Sequence, residues 1–225
     1  LRIFVRSRSG GDDAVGNVLS SFGVLYGILL GLTAVAAYQN WSQMDTNVTK
    51  EASTLISLFQ SVSTYPEPHR QNLRQLLREV GRYEIEEEWP LLKKGISSGG
   101  GRSRIVAVEQ RLLAFEPQTK TQEIVHAGAI QQFTSFLEQR RLRIYSAGTG
   151  IPASLWYVVI IGAIINMLLV WALDTKFIAQ LFLGGLLAYF LGAMILLIAI
   201  LDKPFKSQGG VSPDALKAVH QFMMK

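Results

Sequence analysis

Between Ile151 and Leu201 the chain carries only two formal charges, Asp174 and Lys176, and both fall in the short connection Asp174-Thr175-Lys176. No other feature limits the fold as strongly. A helix rising 1.5 Å per residue needs about 20 apolar residues to cross roughly 30 Å of hydrocarbon. Residues 151–173 and 177–201 both reach that length, so they read as a transmembrane hairpin that turns at the membrane surface. Core helices of soluble proteins are usually shorter. A third window, Ala14 to Trp41, is interrupted by Asn17, Ser20, Ser21 and Thr33 but carries no charge after Asp13. It is too long for a signal peptide and is followed by no small-residue cleavage site. The expected fold class is therefore all-α: a polytopic membrane protein with an extramembrane helical domain, residues 42–150, inserted between the first and second spans.

The basic segment 1–13, with Arg2, Arg6 and Arg8, begins abruptly, as though an upstream helix preceded it. After the first span, Val48, Ala52, Leu55, Phe59 and Val62 recur at alternating spacings of four and three, the seam of a helix packed on another helix. Pro66 and Pro68 end it. A second amphipathic helix is expected from about Arg70 to Trp89, stopped by Pro90, with Leu73, Leu76, Leu77, Val80 and Tyr83 on one side. Gly95 to Gly101 reads as a flexible surface loop. Two more helices follow, from Ser103 to Phe115 and from Thr119 to Ser146, and Gly148, Gly150 and Pro152 mark the return to the membrane. Residues 202–225 read as a C-terminal tail.

Zero cysteines exclude disulfides, thiol catalysis and cysteine metal sites. His69, His126 and His220 have no metal-ligand spacing, so no metal or cofactor is expected. The net charge of +5 is better matched to lipid headgroups than to nucleic acid, because the basic residues adjoin the spans instead of forming a stripe with stacking aromatics. The chain shows no phosphate-cradling glycine loop, no HExxH and no nucleophile elbow, and it is not read as an enzyme.

Several positions remain as candidates. Gly23, Gly27 and Gly31 repeat every fourth residue along one face of the first span, and Gly184, Ala188 and Gly192 do so in the last. Such rows let a second helix approach closely, and they either pack helices or line a pore. Asn166 lies in mid-span, where an amide must turn inward, toward a polar pathway or a neighbouring helix. Tyr38, Trp41, Trp156, Tyr157 and Trp171 suit the membrane interfaces. Glu84, Glu86, Glu87 and Glu88 could attract a cation, but a solvated helix face is the simpler account. Arg140, Arg141 and Arg143, just before the second span, suit anionic headgroups or an anion vestibule. The bias of Lys and Arg toward the side holding Lys50, these arginines, Lys203 and Lys206 puts the helical domain in the cytoplasm.

Taken in order, Ser21-Phe22-Gly23-Val24-Leu25-Tyr26-Gly27, Glu51-Ala52, Glu88-Trp89-Pro90, Arg140-Arg141-Leu142-Arg143, Pro152 through Leu155-Trp156, and Asp202-Lys203-Pro204-Phe205 resemble the bestrophin-like family of bacterial membrane proteins, a domain of unknown function. The resemblance covers nearly the whole chain. It implies a four-span protein of the bacterial inner membrane, with one helix ahead of residue 1. It also implies a homo-oligomeric channel for ions, preferentially anions such as chloride, whose soluble helices form a vestibule. No pore residue is carried over from the family. The alternative is a membrane-anchored scaffold or sensor whose helical domain binds a partner protein.

Overall fold

The computed structural model describes residues 11–96, 100–148, 150–173, 176–206 and 210–225. Arg2, Arg6 and Arg8 and the turn residues Asp174 and Thr175 lie outside them. The described residues form helices and connecting turns without a strand. The elements are α1 (Gly11–Val62), α2 (His69–Tyr83), a π-helical turn (Glu84–Glu88), α3 (Trp89–Lys93), α4 (Arg102–Leu113), α5 (Lys120–Ser146), α6 (Ala153–Ala172), α7 (Phe177–Asp202) and α8 (Asp214–Met224).

The chain divides into two compact units, residues 1–40 with 150–202 and residues 41–149 with 203–225. The first holds the apolar stretch of α1 together with α6 and α7, three helices long and apolar enough to cross a membrane. This is a membrane protein. Its inner contacts join Tyr26, Leu30 and Ala37 of α1 to Val159 of α6 and to Leu191 and Ile198 of α7. Most other apolar side chains of these helices face outward, as lipid or a second subunit requires.

The second unit has two apolar cores of its own. Leu55, Leu58 and Val62 pack with Leu73 and Leu77 of α2, Val108 and Leu112 of α4, and Phe133 and Phe136 of α5. Met44, Val48 and Ala52 pack with Trp89, Phe205 and Leu216.

The seam helix continues the first span as one uninterrupted helix, α1, with no glycine or proline between Gly31 and Pro66 to break it. Two local expectations are corrected. Pro90 does not stop the second helix. A π-helical turn precedes it, with the Trp89 amide donating to the Glu84 carbonyl, and the widened ladder lets the chain pass a residue that lacks an N–H. The segment after Asp202 is no tail, since α8 buries Leu216 and Met223 completely in the second unit.

Candidate functional site

Helix α5 presents its core face through Ala129, Phe133 and Phe136, and the same register continues into Arg140 and Arg143. Both arginines are thereby turned inward. On α1, Glu51 precedes the core residues Ala52 and Leu55; on α2 and the π turn, the buried row Leu73, Leu77, Val80 runs on into Glu84 and Glu88. The three acidic and two basic side chains meet inside the second unit.

Arg143 is fully buried and holds Glu51 with two parallel hydrogen bonds, Nε to Oε2 at 2.6 Å and Nη2 to Oε1 at 2.9 Å. Its Nη2 also donates to Glu88 Oε2 at 2.8 Å. Arg140 donates from Nε to Glu84 Oε1 at 3.1 Å and from Nη2 to Glu88 Oε1. The Arg143 guanidinium lies 5.6 Å from the Trp89 ring centroid, within cation–π range. Gly101 completes the wall: a Cβ there would stand 2.5 Å from Arg140 Nη2 and 2.8 Å from the Tyr83 ring. This end of the expected flexible loop is in fact buried.

Three carboxyls face two guanidiniums, and Glu84 is the odd one. Its Oε2 is buried with no hydrogen-bond partner. Burial, then the neighbouring Glu51, push its carboxyl well above the ordinary value of 4.5, while Arg143 pulls it down. Held as the neutral acid, Glu84 leaves two positive and two negative groups, a balance that a low-dielectric site favours. Burial works against the Arg143 charge as well, but Glu51, Glu84 and Glu88 outweigh it and raise its pKa.

Two readings of the charged residues are thereby overturned. Arg140 and Arg143 do not present free cations to headgroups or to a vestibule, because Arg143 is enclosed and Arg140 is spent on Glu84 and Glu88. Of the three arginines only Arg141 is exposed. Nor are Glu84 and Glu88 a solvated face, although Glu86 and Glu87 between them are exposed.

In the membrane unit the tightest approach involves a glycine outside both rows. Any Cβ at Gly162 would collide with the Tyr26 ring, and the Tyr26 hydroxyl donates to the Val159 carbonyl at 2.7 Å. Asn166 is buried one turn further along α6 and donates to the Gly162 carbonyl at 3.0 Å. Gly23 stands near it, a Cβ there lying 3.9 Å from Asn166 Oδ1. Gly184 is buried beside Val170 and Trp171, whereas Gly27, Gly31 and Gly192 would meet nothing within 4 Å if each gained a Cβ. Gly192 instead lines an apolar groove of about 440 Å³ between α6 and α7. Where α7 ends, Asp202 accepts from the Ile151 amide and, at 3.3 Å, from Trp156 Nε1, closing the start of α6. At the other end of the hairpin, Gln180 Nε2 donates to the Trp171 carbonyl at 2.8 Å.

The sequence carried a signal for the buried cluster that charge alone concealed. Arg140 and Arg143 fall three and four residues apart on the register of Phe133 and Phe136, and Glu84 and Glu88 extend that of Leu77 and Val80. Charged residues on a core register announce a buried pair. The Tyr26–Gly162 contact had no comparable signal, because it joins helices far apart in sequence.

The bestrophin-like domain family matches residues 1–216. No curated protein matches the chain. Crystal structures of two single-site mutants of a bacterial bestrophin homologue from Klebsiella pneumoniae superpose with TM-scores of 0.72. One is 13% identical and covers 92% of this chain and 85% of its own. The other is 12% identical and covers 100% and 95%. A further crystal structure, of a mutant described as a membrane protein, superposes with a TM-score of 0.70 at 13% identity, covering 99% of this chain and 91% of that one. At such identities the likeness establishes the fold. The family match runs over nearly the whole chain, and the chain belongs to the bestrophin-like family.

Proposed function

We propose that the protein is the subunit of a homo-oligomeric ion channel that passes anions. The single observation that carries this reading, beside family membership, is the uncovered face of α1 in the membrane unit. Val24, Leu25, Ile28 and Leu32 are each more than half exposed, and the backbone at Gly27 and Gly31 is open to close approach. A membrane helix with a bare glycine row suits contact with another copy, and closed symmetry repeats that contact around an axis. The basic balance of +5 and the exposed Lys50 on the extramembrane part of α1 support anions as the permeant species. In this reading the helices of the second unit form a cytoplasmic vestibule. The membrane is the bacterial inner membrane.

Chloride efflux from proteoliposomes tests the proposal. The purified protein, assembled as an oligomer, should release chloride when a permeant counter-ion pathway is supplied. Gly27→Leu should reduce the oligomer mass in detergent without unfolding the subunit, because a Cβ there meets no described residue within 4 Å. A monodisperse, folded protein that passes no ion would return the chain to the scaffold class.

A further inference from the structure

The run Arg140-Arg141-Leu142-Arg143 is divided by its own helix. Arg140 and Arg143 turn inward, and Arg141, about 100° round the helix from Arg140, lines a pocket of about 370 Å³ with Gly95, Ile144, Tyr145, Ala147 and Gly148. A second cation lies against Gly95, one of the residues lining it. Gly95 has φ 75°, and a Cβ there would collide with the ammonium of Lys206. Among the described residues neither Arg141 nor Lys206 has a carboxylate within ion-pair distance, and both are exposed.

The pocket is also apolar on one side. Tyr145 is 73% exposed and Ile96, next to Gly95, is 52% exposed. Along the chain it adjoins the membrane unit: Gly148 comes just before Gly150, where that unit resumes, and Lys206 comes shortly after Asp202, where it ends. A few residues of chain span no more than ~3.5 Å each. Cations without counter-ions, an amphipathic tyrosine and aliphatic surface at the membrane boundary have the chemistry of a phospholipid site.

We propose that this pocket binds the phosphate of an anionic phospholipid. Arg141 and Lys206 hold its oxygens, and Tyr145 and Ile144 lie along the glycerol and the first acyl carbons. The site stands whether or not the chain conducts ions, because its test requires no current.

Thermal unfolding of the purified protein in detergent, titrated with phosphatidylglycerol, reads the affinity through the rise in midpoint that a native-state ligand produces. Phosphatidylglycerol should raise the midpoint and phosphatidylcholine should not. Arg141→Gln with Lys206→Gln should weaken the apparent affinity roughly thirtyfold, about fivefold per cation. Lys206→Gln alone, the milder variant, should show the fivefold effect. The charge-matched control, Arg111→Gln with Lys120→Gln, should leave the affinity as it was. An unweakened double variant overturns the proposal, as does a control pair that weakens equally. Inorganic phosphate added at the same concentration separates the sources: no shift supports a lipid headgroup, and an equal shift assigns the pocket to a soluble anion and overturns it.

Discussion

Within the membrane spans, buried neutral side chains donate to backbone carbonyls. Thr33 donates to the Leu29 carbonyl, Asn166 to Gly162, Tyr26 to Val159 and Gln180 to Trp171. In the extramembrane unit the most deeply buried polar groups, Glu51, Glu84, Glu88 and Arg143, bond one another and Arg140. Neutral groups bonding carbonyls avoid placing a charge in hydrocarbon, where nothing repays its desolvation. Inside a protein core, a bidentate pair with further partners can offset that cost, and it fixes which helices meet in which register. The difference is a division of labour. Hydropathy and close glycine contacts position the spans, whereas a charge network joins α1, the π turn and α5 in the other unit.

The comparison breaks most readily at Arg143. Arg143→Ala should cost about 3–5 kcal/mol by stranding Glu51 and Glu88 in the core, read as a large fall in the unfolding midpoint in detergent; a loss below 1 kcal/mol would show that the cluster is not structural. Gly162→Leu should come next, at about 1–3 kcal/mol, since the new side chain meets the Tyr26 ring. The same substitution at Gly27 should leave subunit stability unchanged, and equal effects at both glycines would contradict the packing described. Tyr26→Phe removes one hydrogen bond to the Val159 carbonyl inside the membrane and should cost only about 0.6 kcal/mol, measured as a small fall in the unfolding midpoint in detergent.

Glu84→Gln sharpens the contrast in the opposite direction. Because the folded state raises the Glu84 carboxyl above 4.5, the native protein binds the extra proton, and its contribution to stability is fully present below that pH. It is lost as pH rises above 4.5 and through the folded value. The glutamine variant keeps a neutral side chain at every pH. It should match the wild type near pH 4.5 and exceed it at neutral pH; parallel stability curves for the two proteins would refute a neutral Glu84.

Much of the fold is legible in hydropathy. α6 and α7 run over 153–172 and 177–202, against the windows 151–173 and 177–201 read from apolar length. The continuity of α1 follows from the absence of any glycine or proline between Gly31 and Pro66. The charge cluster was hidden. Glutamate and arginine are usually solvated, so their composition suggests surface while their register on α2, the π turn and α5 indicates core. Glycine rows mark where a backbone is bare, and they do not say whether the partner belongs to the same chain. Gly162, isolated in sequence, has its partner within the subunit, while a Cβ at Gly27 or Gly31 would meet no described residue within 4 Å.

The bare glycine face of α1 suits copies of the chain closing around an ion pathway. Planar-bilayer recording of the purified oligomer under a potassium chloride gradient tests it most directly. Discrete conductance is expected, with a reversal potential displaced toward chloride equilibrium. A silent bilayer from folded, oligomeric protein, or a reversal potential displaced toward potassium, would contradict it.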